Sequence, residues 1–294
     1  MLSIDLATHL TGRILAFENF PFSFQEYISS LPSLSLPHKH NYDTLFPYLE
    51  TVIHLVEERL SKGLFPEIAN MGSPDLEAEL LNQYFQNVLF KDIIPRFLIR
   101  NSKTIEQLAY YSSNTFASRF SYRNLAQAVS SNENTVKEYL SYFEKAYLFF
   151  TVEHFDHSLK RQIKYAKKLY ISDNGLRNAT SSSFSKDYGR SAENMVYTHL
   201  RRETCHIHFW QDEKSGKEID FVVKKKDGYL LYNVSYTDDL QDREFDAFPA
   251  FIQSTNIQNC QCIVISRNRY ETILHNHIPI NIIPLWLFLL TLQN

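Results

Sequence analysis

Glycine is scarce in this chain. The seven glycines (Gly12, Gly63, Gly72, Gly175, Gly189, Gly216 and Gly228) never stand closer than nine positions apart. A phosphate-cradling Gly-x-x-x-x-Gly-Lys-(Ser/Thr) loop, or a Gly-x-Gly-x-x-Gly turn, cannot be written with that set, which excludes a P-loop. Cysteine is scarcer still: Cys205, Cys260 and Cys262 suit a reducing compartment rather than a disulfide framework. Cys260 and Cys262, two apart beside Ile263-Val264-Ile265, predict one face of a strand; zinc would need more ligands nearby. A basic start followed by a long apolar run is missing at Met1, so no signal peptide is read. The apolar stretch from Ile278 to Leu290 is too short to span a bilayer and is divided by Pro279 and Pro284. These absences predict a cytoplasmic protein without a membrane partner.

Charge of one sign is also lacking. The net charge of −3 gives no global attraction to nucleic acid, so any DNA surface must be a local patch. What is present is an ordinary folding composition, 44% hydrophobic and 21% charged over 294 residues, enough for two or three domains.

Near the start, Leu6–Leu10 reads as a helix end and Ile14–Phe17 as a short strand with nothing obvious to pair with. This predicts that something upstream is missing. Ser23 and Glu26 form a capping box that begins a helix. Residues 41–119 read as helical: Tyr42–Lys62 closed by Gly63, a long helix starting at Ser73-Pro74 and bent or ended by Pro95, and Thr104–Phe116. Residues 120–180 read as a winged helix, with a short helix over 121–129, a longer helix over 135–144 and strands at Tyr147–Phe155 and Lys168–Ile171. Lys160, Arg161, Lys164, Lys167 and Lys168 are expected at the wing tip, where five cations in nine residues suit DNA phosphates. Glu133, Glu138 and Glu144 on the would-be recognition helix oppose that use, leaving a protein-packing role open.

A Ser-rich linker at Thr180–Ser185 then leads to an α/β domain over 186–294: helix Arg190–Arg202, strands His206–Trp210, Glu218–Lys225 and Tyr229–Tyr236, helix Asp239–Gln253, strand Gln261–Ser266, and a terminal strand and helix. The fold class is therefore α+β and multidomain, a helical and winged-helix region followed by an α/β domain. On the first helix Glu193 shares a stripe with Val196, Tyr197 and Leu200, the face that should meet the sheet. An acid there needs a partner or a metal. Strand alternation points Asp220 with Val222, and Asn233 with Leu231 and Ser235. If the two strands are neighbours, Glu193, Asp220, Asn233 and Ser235 converge. His206 and His208 could pair on a metal, although simple strand alternation accounts for them.

This layout resembles the PD-(D/E)xK nuclease-like superfamily, in which a helix acid, a strand Asp and a following (Glu/Gln)-x-Lys bind Mg²⁺ and activate water. The first two positions match at Glu193 and Asp220, which the resemblance makes the metal ligands. The third reads Asn233-Val234-Ser235. An amide replaces the acid and a hydroxyl replaces the lysine, so the implied Mg²⁺ is weakly held and the water lacks its cationic neighbour. Lys217 and Lys224 are the nearby lysines that could have migrated to that role.

More widely, Leu10-Thr11-Gly12-Arg13, Pro21–Tyr27, Gly63–Glu67, Lys91-Asp92-Ile93, Tyr170–Arg177, Gly189–Tyr197, Glu218–Val223, Asn233–Tyr236 and Ile282–Trp286 are similar to the C-terminal half of a prokaryotic AAA+ ATPase family with a nuclease-like C-terminal domain. In that family the preceding half carries the phosphate loop. The resemblance implies a truncated or split member, with residues 1–40 a remnant of the ATPase core, serving binding or assembly for a full-length ATPase of the same family. Arg13 falls where such an ATPase could reach nucleotide across subunits. The alternatives are a metal-dependent DNA endonuclease with an altered site and a winged-helix DNA-binding protein. Since no glycine pair can build a phosphate loop, the chain alone is expected to bind no ATP at micromolar concentrations; calorimetry checks this.

Overall fold

The computed structural model describes residues 18–37, 40–69, 71–181 and 187–291. Arg13, the expected strand Ile14–Phe17 and most of the Ser-rich linker lie outside these residues. Helices fill the N-terminal half, and a large mixed sheet fills the C-terminal half, which makes the chain α+β.

The capping box expected at Ser23 forms. The Ser23 N–H donates to Glu26 Oε2 at 2.6 Å and Glu26 N–H donates back to Ser23 Oγ at 3.1 Å, starting helix Phe24–Ser30. The single helix expected over 42–62 is interrupted at Pro47, which cannot donate to the preceding turn. A turn of helix at Tyr42–Leu45 and a 3₁₀ turn at Phe46–Tyr48 precede helix Leu49–Lys62. Helix Pro74–Asn87 runs on through a π-helical stretch, Val88–Ile93, and ends at Ile94–Arg96, with Pro95 inside the final turn. Helix Ser102–Asn114 follows, close to its expected bounds.

Strands β1 (Ser118–Phe120), β2 (Phe149–His154), β3 (Lys167–Ile171), β4 (Ile207–Gln211), β5 (Glu218–Lys225), β6 (Gly228–Val234), β7 (Cys260–Ser266), β8 (Glu271–His275) and β9 (Ile278–Pro284) form one sheet. Their order is β1-β3-β2-β4-β5-β6-β7-β9-β8. The first three strands pair antiparallel around helices Tyr122–Ala128 and Glu133–Lys145. The sheet then continues across the expected linker, because β2 pairs in parallel with β4 through Glu153 and His154.

One face of the sheet carries Tyr170, Phe209, Phe221, Tyr232 and Ile265 against helices Tyr188–Glu203 and Leu285–Leu290. The opposite face carries Trp210, Ile219, Val222, Leu231 and Val264 against helix Ala247–Thr255. Cys262 is buried in this second core, with Cys260 packed at its margin, as their spacing predicts.

Buried polar groups fix the joint between helical half and sheet. Asp173 accepts the Leu64 N–H at 2.7 Å through one carboxylate oxygen and the Gly175 N–H at 2.7 Å through the other. Burial pushes its pKa up to about 6, against the pull of those amides. Asn194 clamps the end of β3, accepting from the Ile171 N–H at 2.9 Å and donating to the Ile171 carbonyl at 3.0 Å. Gly63 sits at φ 74° and ψ −168°, a region essentially reserved for glycine, and a Cβ there would lie 1.8 Å from Asp173 Oδ1. Gly63→Ala is therefore expected to destabilise the chain by at least about 1–3 kcal/mol. Urea unfolding of the variant against the wild type measures this.

Candidate functional site: a lysine among three carboxylates

The site begins with a strand irregularity. Opposite β4, the register of β5 runs Val223–Ile207 and Val222–His208, then resumes at Ile219–Trp210 and Glu218–Gln211. Two residues of β5, Asp220 and Phe221, thus face Phe209 alone, which is a β-bulge. A bulge breaks the alternation of side chains. Ile219 and Val222 consequently share one core, while Phe221 lies in the other. The expectation that Asp220 points with Val222 fails for this reason. Its carboxylate turns to the opposite face, beside Phe221 and Tyr170.

On that face helix Tyr188–Glu203 buries Val196, Tyr197 and Leu200, and Glu193 lies on the same stripe. Here it meets Lys168, which reaches across from β3. The Lys168 Nζ lies 2.9 Å from Glu193 Oε1, 2.8 Å from Asp220 Oδ1 and 2.6 Å from Glu218 Oε1. Tyr170, two residues along β3, donates its hydroxyl to Glu193 Oε1 at 2.8 Å and stacks on Tyr197. Arg119 of β1 approaches Glu218 Oε2 at 3.3 Å. The second Asp220 oxygen accepts the Val234 N–H at 2.9 Å.

Lys168 is 2% exposed. Burial opposes its charge, yet Asp220 and Glu193 hold its pKa well above the usual lysine range. Glu193 moves the other way for a carboxylate. Burial first, and then the Asp220 charge, push it up to about 7 in spite of Lys168 and Tyr170. The two directions agree physically: one ammonium cannot fully compensate three acids, so the most enclosed acid retains a proton most readily.

Of the four residues expected to converge, the structure brings Glu193 and Asp220 together. Asn233 lies on the other side of the strand pair. Its Oδ1 accepts the Asp220 N–H at 3.2 Å and its Nδ2 donates to the Glu244 carbonyl at 2.9 Å. Ser235 follows β6, its N–H bonded to the Ile265 carbonyl at 2.9 Å, and the hydrogen bonds of the described cluster do not involve it. Both Asp220 oxygens and Glu193 Oε1 are engaged by protein donors. Mg²⁺ wants about six oxygens in near-octahedral array. An ammonium bonded to both acids does not suit that ion, and no group of three or more His, Cys, Asp or Glu among the described residues is arranged to hold a metal.

The expected basic wing is a short helix, Leu159–Lys164. Lys160, Arg161 and Lys164 are exposed on it, with Arg161 3.1 Å from Asp156. Lys167 and Lys168 are not at the tip. Both are buried in β3, Lys167 against Glu153 and Lys168 in the cluster. Their sequence signal was available: lysines beside Leu169-Tyr170-Ile171 in an apolar strand must find acids if both strand faces are covered. Lys217, considered for the missing cation, instead lies 3.5 Å from Asp246. Lys224 is exposed on β5. His206 is exposed, and His208 sits edge-on to Phe155.

The raised Glu193 pKa has a sign that can be tested. Between about pH 4.5 and pH 7 the folded chain holds a proton that the unfolded chain releases. That contribution is fully present below the unfolded pKa and is lost as pH rises to the folded one. Stability should fall by a few kcal/mol across that window, because each pH step between the two pKa values is worth about 1.4 kcal/mol. Asp173 adds in the same direction below about pH 6. Glu193→Gln is expected to flatten the decline, read from melting temperature against pH.

Two family descriptions match: Domain of unknown function (DUF8612) over residues 53–187, and Domain of unknown function (DUF4143) over residues 188–288. Lys168 and Tyr170 fall in the first, and Glu193, Glu218 and Asp220 in the second, so the cluster bridges the two. The chain is 26% identical over 241 residues to an uncharacterized protein of Haemophilus influenzae, covering 80% of this chain and 56% of that protein. No solved structure matches this chain. No described helix is long and apolar enough to cross a membrane. With 30% identity over 306 residues, spanning 99% of this chain and 67% of the relative, it belongs to the family of the uncharacterized protein MJ1544 of Methanocaldococcus jannaschii.

Proposed function

We propose that this chain is a binding and assembly module of an ATPase-associated family, with a nuclease-like domain that does not cleave and no ATP hydrolysis of its own. The observation that carries this reading is the position of Lys168 Nζ within 2.9 Å of both acids that the nuclease motif would offer to a metal. A fixed ammonium neutralises those acids in place of a divalent cation and ties β3 to β5. The ATPase association rests on the motifs shared with that family and on the DUF4143 match. The two relatives also extend beyond the matched region. The winged-helix reading of 120–180 draws support from the antiparallel order β1-β3-β2 around two helices. With only Lys160, Arg161 and Lys164 exposed on the wing, DNA contact there is limited to a few phosphates.

A second reading has one observation in its favour. The positive charge missing at Ser235 stands beside Asp220 after all, supplied by Lys168. In a metal-dependent nuclease an incoming Mg²⁺ would displace the ammonium from the carboxylates, and Lys168 would then stabilise charge at the phosphate.

The two readings separate in one experiment. For the assembly module, no Mg²⁺- or Mn²⁺-dependent cleavage of linear, nicked or branched DNA is expected. Lys168→Met should destabilise the fold by about 3–5 kcal/mol, because it leaves buried acids uncompensated. Adding Glu193→Gln and Asp220→Asn should restore part of that loss. Robust cleavage by the wild type, abolished by Asp220→Ala, would overturn this reading in favour of the nuclease.

A further inference from the structure

The nine-stranded sheet ends at β8, and the geometry of that edge points to a partner. The loop between β8 and β9 has two residues, Asn276 at φ 51° and His277 at φ 65°. Two successive left-handed residues make the tight hairpin turn in which the flanking residues exchange both hydrogen bonds. His275 and Ile278 are that flanking pair. Antiparallel ladders alternate between bonded and non-bonded pairs. Ile273–Ile280 and Glu271–Ile282 are therefore bonded pairs as well, while Thr272 and Leu274 turn their N–H and C=O groups outward, away from β9.

Among the described residues this outer edge lacks most of the usual protection. Exposed edges are normally blunted by proline, lysine, a bulge or a covering element. The strand Glu271-Thr272-Ile273-Leu274-His275 contains no proline or lysine, and its register with β9 is unbroken. Leu274 is 71% exposed and Thr272 is also exposed.

We propose that β8 pairs antiparallel with β8 of a second copy of this chain, about a two-fold axis at Ile273. The sequence is complementary to itself in that register. Thr272 lies opposite the partner's Leu274, so their outward groups can exchange four backbone hydrogen bonds across the axis. Glu271 lies opposite the partner's His275. Within one chain Glu271 is bound by Arg269, with Arg269 Nε at 2.7 Å, and His275 Nε2 lies 2.9 Å from Asp246. Pairing would align Arg269, Glu271, the partner's His275 and the partner's Asp246 as a row of alternating hydrogen-bond donors and carboxylate acceptors. Centring on Thr272 or Leu274 would lose this match and leave one outward residue of the strand paired with itself, giving two backbone hydrogen bonds instead of four. The contact is short, and such small interfaces are transient.

Sedimentation of the full chain, over a series reaching hundreds of micromolar, is expected to find a reversible dimer. Thr272→Lys with Leu274→Lys places lysine opposite lysine and should weaken the dimer by about tenfold or more. Both side chains are exposed, and Thr272 gives up only a surface hydrogen bond to Asn281 at 3.0 Å, so the melting temperature of the dilute protein should move little. In a Cys205→Ser background, Ile273→Cys should link to itself under mild oxidation, because it sits on the axis in a non-bonded pair. A chain that stays monomeric throughout, or a dimer that survives the lysine pair, overturns the proposal. So does a dimer that Ile273→Cys fails to link.

Discussion

The ammonium of Lys168 is the interaction on which the rest of this structure depends. It binds a helix acid and two acids of β5 from a strand in the preceding segment. None of these groups could be buried alone, since an isolated charge away from water costs many kcal/mol. Together they make a joint that holds only when both segments are in register. The adjacent buried contacts act on the same joint. Asn194 satisfies both backbone groups of Ile171 at the end of β3, and Asp173 ties the turn after helix Leu49–Lys62 to the start of helix Asn174–Thr180. The continuous sheet follows from these polar locks as much as from the apolar cores on its two faces.

The bulge in β5 gives the cluster its form. Without the extra residue, Asp220 would point with Val222 into the core against Phe248 and Phe251, where an acid has no partner. The inserted residue rotates it toward Lys168. On the other side of β5 the ladder with β6 ends at Phe221–Tyr232, and two side chains continue the pairing beyond it. Asp220 accepts from Val234 N–H, and Asn233 accepts from Asp220 N–H. Asn233 is thus a strand-pairing residue in this arrangement. Its amide serves there as a carboxylate could not, since it donates to the Glu244 carbonyl as well as accepting.

Much of the local structure was legible from residue order. Capping boxes, prolines, glycine stops and alternating strands depend on neighbours a few positions away, and helix Tyr188–Glu203, β5 and β7 lie close to where their patterns put them. The interruption at Pro47 and the hairpin of β8 were missed for local reasons: a proline inside a helical pattern, and a turn of Asn276-His277 with no glycine to mark it. Glu193 and Asp220 could be named from sequence because each is an acid placed on an apolar element.

The sequence by itself determined most of the helices and strands, the absence of any phosphate loop, and the two acids that must find partners. The tertiary structure alone decided what those partners are. Lys168 stands 25 and 52 positions from Glu193 and Asp220, and looked like one of five cations on a wing. Its role arises because β3 is covered on both faces and lies in the same sheet as β5. The apolar run Leu169-Tyr170-Ile171 beside Lys168 marks a strand, but only the path of the chain decides whether both faces of that strand are covered, and with it whether the charge binds phosphate or closes a cluster of acids.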